Sequence, residues 1–343
     1  MEAGAGRKAI FWAIAGVGAA VAGRALLRKR RAYDLIGKVT LVTGGSRGLG
    51  LVLAREFASR GARLALCARD PENLDRAQAD LEARGAEVFT VPCDVTDRSQ
   101  VERMVEAVRK HYGRIDVLVN NAGIIAVGPM ETMTVEDYEE AMRVHFWACV
   151  YTTLAVTSEM QQRREGRIVN ITSIGGKISV PHLLPYDASK FAQVGFSEGL
   201  RAELAKDGVL VTTVCPGLMR TGSHVNARFK SQHRLEYTLF SLLDTLPLTS
   251  ISAESAARQI VDACKFGEPE VVLSFQAQAA ATFHALFPGI TADLLGLVNR
   301  ALPGHGGIGT GRASGKESET ALTTSPLTAP IQKAAAINNE VGT

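Results

Sequence analysis

The sequence is short of the features that mark several large classes of protein. Aromatic residues make up only 6% of its 343 positions. The five cysteines, Cys67, Cys93, Cys149, Cys215 and Cys264, are scattered, odd in number and free of CxxC or His-paired spacing. That pattern removes a disulfide framework and a metal site, and suits small apolar core residues in a reducing compartment. Neither sign of charge dominates: 38 Lys and Arg stand against 35 Asp and Glu, for a net charge of +3. No polyanion-binding character follows, so a nucleic-acid partner is not expected.

What is present is apolar and regularly spaced. Hydrophobic residues reach 46%, ample for the core of one large or two small domains. The N-terminus carries Arg7 and Lys8, an apolar run over residues 9–23, and then the basic cluster Arg28, Lys29, Arg30 and Arg31. Counted through Leu27, with Arg24 snorkelling outward, the run approaches the roughly 20 residues that span a bilayer. Residues 1–34 are therefore read as a single membrane anchor. The larger positive cluster follows the run, which places the main domain on the cytoplasmic side. A cleaved signal peptide or an interfacial helix are the alternatives.

From Leu35 onward, strand-like runs alternate with helical segments. The strands are expected at 39–42, 64–67, 88–91, 117–119, 167–171, 210–214 and 271–274, with helices at 71–84, 99–111 and 135–160 among the segments between them. This is an α/β pattern: a parallel seven-stranded sheet with helices on both faces, forming one domain over 35–275. After Gly217 the regularity lapses, and residues 219–250, with an apolar patch at 237–248, read as a mobile cap over a pocket or as an ordinary helical insertion. An apolar helical extension over 276–302, interrupted by Pro288 and Gly289, is placed to pack on the core or touch a membrane. The last segment, 303–343, is rich in Gly, Ser, Thr, Ala and Pro, and is expected to be disordered.

The stretch KVTLVTGGSRGLG, residues 38–50, organises the remainder. A β-branched run stops at a cluster of glycines and is followed by apolar positions at helical spacing, so it reads as strand, tight turn and helix. Glycines allow a sharp turn and close ligand approach, and the unpaired N–H groups of the helix start attract phosphate. A diphosphate is the natural guest.

The turn Thr43–Gly44–Gly45–Ser46–Arg47–Gly48–Leu49–Gly50 is joined downstream by Asn120–Asn121–Ala122–Gly123, by Ser173, by Tyr186 with Lys190, and by Pro216–Gly217. This set, in this order, resembles the classical short-chain dehydrogenase/reductase family over residues 35–274. The resemblance implies a Rossmann-type fold and a nicotinamide-dependent oxidoreductase. Tyr186 and Lys190 lie one helical turn apart and can face one cleft. A nearby ammonium would lower the tyrosine pKa from its reference near 10. Tyr186 would then exchange a proton with a carbonyl or alcohol oxygen, to which Ser173 donates a hydrogen bond. In the reductive direction hydride passes from the nicotinamide to the carbonyl carbon while Tyr186 protonates the oxygen.

Cofactor choice turns on Arg47, inside the glycine turn, and Arg69, just past the second strand, where an acidic residue would select the ribose 2′-OH of NAD. A cation there favours NADP(H), unless Arg69 merely pairs with Asp70. By the family likeness Asp94 and Val95 line the adenine, and Asn121, Ala122 and Gly123 run beside the ribose. Lys190 also holds the nicotinamide ribose, and Pro216, Gly217 and Thr221 meet the nicotinamide end. Thr43, Gly44, Ser46, Gly48, Leu49 and Gly50 complete the cofactor site.

One position departs from the family pattern. Where the family has a helix asparagine that helps hold a relay water, this chain has His145 in Val144–His145–Phe146–Trp147. His145 holds the water in the same way, titrates as a relay group itself, or disturbs the helix bulge and weakens catalysis. His182, just before Tyr186, borders the substrate or is a plain loop residue. The apolar segments 183–184 and 237–248, with the anchor, point to a lipid-like or steroid-like substrate. The alternative function is a cofactor-binding scaffold or redox sensor whose catalysis His145 has weakened. Pairing of helices in the family implies a homodimer or homotetramer.

Overall fold

The computed structural model describes residues 28–341 continuously, together with Trp12, Gly23 and Leu26. The expected anchor therefore lies largely outside the described residues. Among the described residues no helix is long and apolar enough to cross a membrane.

Strands and helices alternate in the order β1 (Val39–Thr43), α1 (Gly48–Ser59), β2 (Arg63–Ala68), α2 (Pro71–Glu82), β3 (Val88–Pro92), α3 (Arg98–Tyr112) and β4 (Val117–Asn120). The second half runs α4 (Val135–Met142), α5 (Ala148–Arg163), β5 (Gly166–Ile171), α6 (Leu184–Leu204), β6 (Val209–Pro216), α7 (His233–Thr245), α8 (Ala253–Phe266) and β7 (Glu270–Leu273). The seven strands form one parallel sheet in the order β7-β6-β5-β4-β1-β2-β3. Both faces are covered, so the central strands are buried through nearly every residue. Val42, Leu64, Leu66 and Val119 pack with Leu53 and Phe57 of α1, Leu74 of α2 and Ile260 of α8. Leu41, Ala65 and Leu118 pack on the other face with Met104 of α3, Met160 of α5 and Leu204 of α6. The sheet is doubly wound, of Rossmann type. The chain leaves β1 towards β3 and then returns to β4 on the opposite side of β1, opening a crevice at the carboxyl ends of β1 and β4.

Two expectations need correction. The helix anticipated over 135–160 is interrupted: residues Arg143–Trp147 make a π-helical turn between α4 and α5. The segment after residue 302, expected to be disordered, is ordered as far as residue 341. Helices α9 (Phe275–Leu286) and α10 (Pro288–Ala301) first form a hairpin that leaves Phe275, Leu286, Ile290 and Leu297 exposed. The chain then runs across the cap. Ala313–Ser314 pairs antiparallel with Arg228–Phe229, and a last helix, α11 (Ala329–Ile337), buries Ile331 and Ala335. Small polar residues carry little hydrophobic signal, yet they suit a belt held by hydrogen bonds to a surface the sequence alone does not display.

A buried ion cluster fastens that belt. Asp137, in the first turn of α4, closes a capping box with Thr134 and pairs with the buried ammonium of Lys230 and with Arg312 at 2.7 Å. Burial alone would raise its carboxyl, but the Lys230 hydrogen bond and the Thr134 amide carry it below the ordinary value. Such a depressed carboxylate contributes stability above the usual carboxylate range and loses it as the pH falls through its lowered pKa. Lys230→Met is expected to leave buried Asp137 held only by Thr134 and the rim cation Arg312, and to destabilise the fold by about 3 kcal/mol in urea unfolding. Arg312→Ala, at the exposed rim of the same cluster, is expected to lose about 1 kcal/mol or less.

Candidate active site

The glycine turn sits at the crevice between β1 and β4. Thr43 Oγ1 accepts the Asn121 and Ala122 amides at 3.0 and 3.1 Å and donates to the Val119 carbonyl at 3.3 Å. Asn121 Nδ2 donates to the Thr43 and Gly44 carbonyls at 3.0 and 3.1 Å. Gly44 has φ +61°, and a Cβ there would press against Ala122. A Cβ on Gly50 would collide with the Gly44 carbonyl and the Asn121 amide. The turn thus approaches a second backbone where side chains do not fit, and it begins α1, whose first N–H groups face the crevice. The sequence-derived residues Thr43, Gly44, Ser46, Arg47, Gly48, Leu49, Gly50, Asn121, Ala122 and Gly123 belong to this one region. A Cβ on Gly123 would lie 3.3 Å from His145 Nε2.

Arg69 is exposed at the end of β2 and makes no hydrogen bond or ion pair with the described residues. Asp70 does not pair with it. Its carboxylate caps α2, accepting from the Glu72 amide at 3.0 Å, which leaves the guanidinium available. Asp94, after β3, accepts from Thr96 N and Oγ1 at 3.0 and 2.8 Å, and Val95 lines a narrow hollow with Thr43, Ala122 and His145. Pro216 ends β6. A Cβ on Gly217 would lie 3.2 Å from Ala277, and Thr221 is buried in the loop beyond.

Ser173, Tyr186 and Lys190 meet where β5 gives way to α6. The Ser173 hydroxyl accepts the Gly175 amide at 3.0 Å, and a Cβ on Gly175 would lie 3.3 Å from both that hydroxyl and the Tyr186 ring. Lys190 is buried, its Nζ donating to the Ile171 carbonyl and to Gln193 Oε1, each at 3.0 Å. An ammonium has three donors, so one remains for a further partner. The expected lowering of the tyrosine pKa is not found. Burial pushes Tyr186 up to about 12, against the Ser173 hydrogen bond, and pushes Lys190 down to about 7. A lysine so easily neutralised, its Nζ 5.7 Å from the phenol ring centroid, does little to hold a phenolate. The phenol is a neutral donor at pH 7.

His145 lies in the π-helical turn, which it therefore preserves rather than disturbs. Its Nε2 accepts the Ile124 amide at 3.1 Å, which puts the ring proton on Nδ1, 2.7 Å from Ser189 Oγ. Ser189 in turn donates to the Tyr186 carbonyl at 2.7 Å. Both nitrogens are occupied, and burial, with the Lys190 charge second, holds the ring well below the ordinary histidine pKa. Placed among the catalytic residues by sequence, His145 is in this geometry a strut without a free nitrogen to pass a proton. Its ring stands edge-on to Tyr186, centroids 5.3 Å apart. His182, with φ +69°, pairs with Glu236 of α7 at 2.8 Å and ties the cap to the Tyr186 loop.

Sequence reasoning missed several contributors. Ser189 was legible, lying three positions after Tyr186 on the same helix. The buried chain Asn120–Asn170–Ser197–Thr213 was not, because strand and helix must be superposed to see it. Its links are 2.9, 2.9 and 2.7 Å. Asn338, Asn339 and Glu340, from the segment expected to be disordered, were also missed. They lie against the glycine turn.

A dinucleotide-type turn and a Ser-Tyr-Lys set on one crevice of a doubly wound sheet define a nucleotide-dependent oxidoreductase class. The sequence pattern of the short chain dehydrogenase family matches residues 38–232. The chain belongs to the short-chain dehydrogenase/reductase family, whose members use NAD(P)H. It is 35% identical over 258 residues, 74% of this chain and 80% of the relative, to a dehydrogenase/reductase SDR family protein 7-like of Anopheles gambiae. It is 40% identical over 185 residues, 53% of this chain and 68% of the relative, to a granaticin polyketide synthase putative ketoacyl reductase of Streptomyces violaceoruber. Among solved structures, a short-chain dehydrogenase from Streptomyces avermitilis matches with a TM-score of 0.67 at 29% identity, over 77% of this chain and 98% of that one. An actinorhodin polyketide ketoreductase variant with NADPH matches with a TM-score of 0.62 at 31% identity, over 69% and 95%.

The ring of His145 gives a direct test. In histidine 15N–1H spectra recorded down to pH 5.5, the imidazole whose signals vanish in His145→Asn is expected to stay neutral in the Nδ1–H form, as buried His224, pushed down to about 4, also stays neutral. If that His145 ring instead titrates near the ordinary value of about 6.5, the strut geometry does not hold in solution.

Proposed function

We propose that this chain is an NADP(H)-dependent carbonyl reductase acting on an apolar, lipid-like or steroid-like substrate. The observation that carries the reaction is the gathering of Ser173, the Tyr186 ring and buried Lys190 at the start of α6: a Cβ on Gly175 would lie 3.3 Å from both the Ser173 hydroxyl and the Tyr186 ring, and Lys190 Nζ is 5.7 Å from that ring's centroid. The crevice fits a dinucleotide: glycine turn and backbone approach each other where a Cβ would collide, and the Arg69 cation is unpaired among the described residues. Thr43, Gly44, Ser46, Leu49 and Gly50 would hold the diphosphate and ribose, and Asp94, Val95 and Asn121 through Gly123 the adenosine side. Lys190, Pro216, Gly217 and Thr221 would hold the nicotinamide side. Arg47 and Arg69 would hold a 2′-phosphate. When bound, the nicotinamide supplies the hydride.

The protein's own part is the proton. Tyr186, neutral at pH 7, donates to the substrate oxygen as that oxygen gains charge, and Ser173 hydrogen-bonds the same oxygen. One hydride to carbon and one proton to oxygen convert the carbonyl to the alcohol. The spare donor of Lys190 would orient the cofactor ribose, and the phenolate left behind regains its proton from water. His145 and Ser189 fix the backbone of Tyr186 from below. The apolar substrate is supported by the exposed hairpin α9–α10, which begins beside Gly217. Residues 9–27 would anchor the domain to the cytoplasmic face of a membrane. Exposed Trp147, Leu154 and Phe191 would pair two chains through α5 and α6.

Purified protein is expected to oxidise NADPH with apolar ketones or aldehydes, and Tyr186→Phe to reduce kcat about a thousandfold with NADPH affinity unchanged. Full activity in Tyr186→Phe, or no turnover across a broad panel of apolar carbonyls, would overturn the reading. Arg69→Glu is expected to weaken NADPH binding at least about tenfold while leaving NADH within about twofold, read by fluorescence titration.

A further inference from the structure

The C-terminal segment is built into the glycine turn. The Asn338 carbonyl accepts the Gly48 amide at 2.8 Å, at the first position of α1. Its side chain spans both walls of the crevice: Oδ1 accepts from Arg55 at 2.9 Å, and Nδ2 donates to the Thr221 carbonyl at 3.1 Å. Asn339 Nδ2 donates to the Ser46 and Asn73 carbonyls at 2.9 and 3.1 Å, and its Oδ1 accepts from Arg76 at 2.8 Å. Glu340 is buried, with its carboxylate 3.5 Å from Arg47 Nε, 2.6 Å from Asn226 Nδ2 and directly over Gly48.

The chemistry of this contact is that of an anionic ligand. A helix start has N–H groups without intrahelical partners and a positive potential, so it takes acceptors and negative charge. Asn338 supplies the acceptor and Glu340 the charge, against the arginine read as a partner of the cofactor phosphate. Burial raises the Glu340 carboxyl, and Arg47 and Asn226 oppose that rise. A carboxylate is brought out of water only where cations and amides compensate it. Of these, Arg47 and the Gly48 amide are groups a dinucleotide would claim.

We propose that residues Asn338–Glu340 are an autoinhibitory strap that stands in for the cofactor's phosphate groups on the glycine turn and must lift before the dinucleotide seats. The inference rests on the turn being the nucleotide site. The strap hinges at the end of α11, because Ile331 and Ala335 are buried and a Cβ on Gly222 would strike the Ala335 backbone. The helix stays, and the residues after Ile337 move. Since the strap also holds Thr221 and Asn226, its release frees the loop after β6 together with the turn, so cofactor entry and loosening of the cap are one event. A strap seated for about 90–99% of the time weakens apparent cofactor affinity about 10- to 100-fold, because only the open fraction binds.

The test compares the full chain with a chain lacking residues 338–343 and with Glu340→Ala, which keeps α11 and its packing. NADPH affinity is read by fluorescence titration, and the strap amides by hydrogen exchange. The truncated chain is expected to bind NADPH at least about tenfold tighter and Glu340→Ala about threefold tighter or more, and saturating NADPH should speed exchange at residues 338–340 of the full chain. Equal or weaker binding by both altered chains, or slower strap exchange with NADPH bound, overturns the proposal, the latter by making the tail a cover over the seated cofactor. If no chain binds NADPH or NADH, the nucleotide-site reading itself fails, and the strap with it.

Discussion

The close approach of two backbones at the carboxyl ends of β1 and β4 is the constraint on which the rest depends. Thr43 and Asn121 stitch these ends together through side chain and main chain, and Gly44 and Gly50 leave no room for a Cβ. A side chain at either position would push the turn outward and aim the first amides of α1 elsewhere. The reversal of strand order makes the crevice, but this junction decides which groups point into it.

The proton-handling side is referred to the same junction through buried polar contacts. Asn120 passes through Asn170 and Ser197 to Thr213, linking β4, β5, α6 and β6. Such a chain is stable in a low-dielectric interior only when its members are satisfied together. Helix α6 carries Tyr186 and Lys190, so the Tyr186 phenol and the glycine turn share one internal frame. The π-helical turn adds the second support, because it rotates His145 inward to bond both the Ile124 amide and Ser189.

Much of this was legible because the signals were local. All seven strands could be placed from short apolar runs; the glycine turn, the Asn121 segment and Ser173 follow the ends of three of them, and Tyr186 with Lys190 lies in the first two turns of α6. What was hidden depended on distant partners. Reasoning from sequence gave Lys190 an ammonium beside Tyr186, but burial works on both groups and leaves each near its uncharged form. His145 could be noticed as an exception, yet its role rests on Ile124 and Ser189, which only the folded helix brings to its two nitrogens. The tail misled because its composition resembles that of unstructured chain, while the surface to which it bonds brings together Asp137, His233 and Thr238, far apart in sequence.

The Asn339 contact to Ser46 joins residues 293 apart in sequence. Contacts of that separation are entropically expensive to close and form late. During synthesis the sheet, the turn and the Ser-Tyr-Lys set emerge before residues 338–340 exist, so a newborn chain presents an open crevice. The order of translation therefore exposes the glycine turn before residues 338–340 can lie against it.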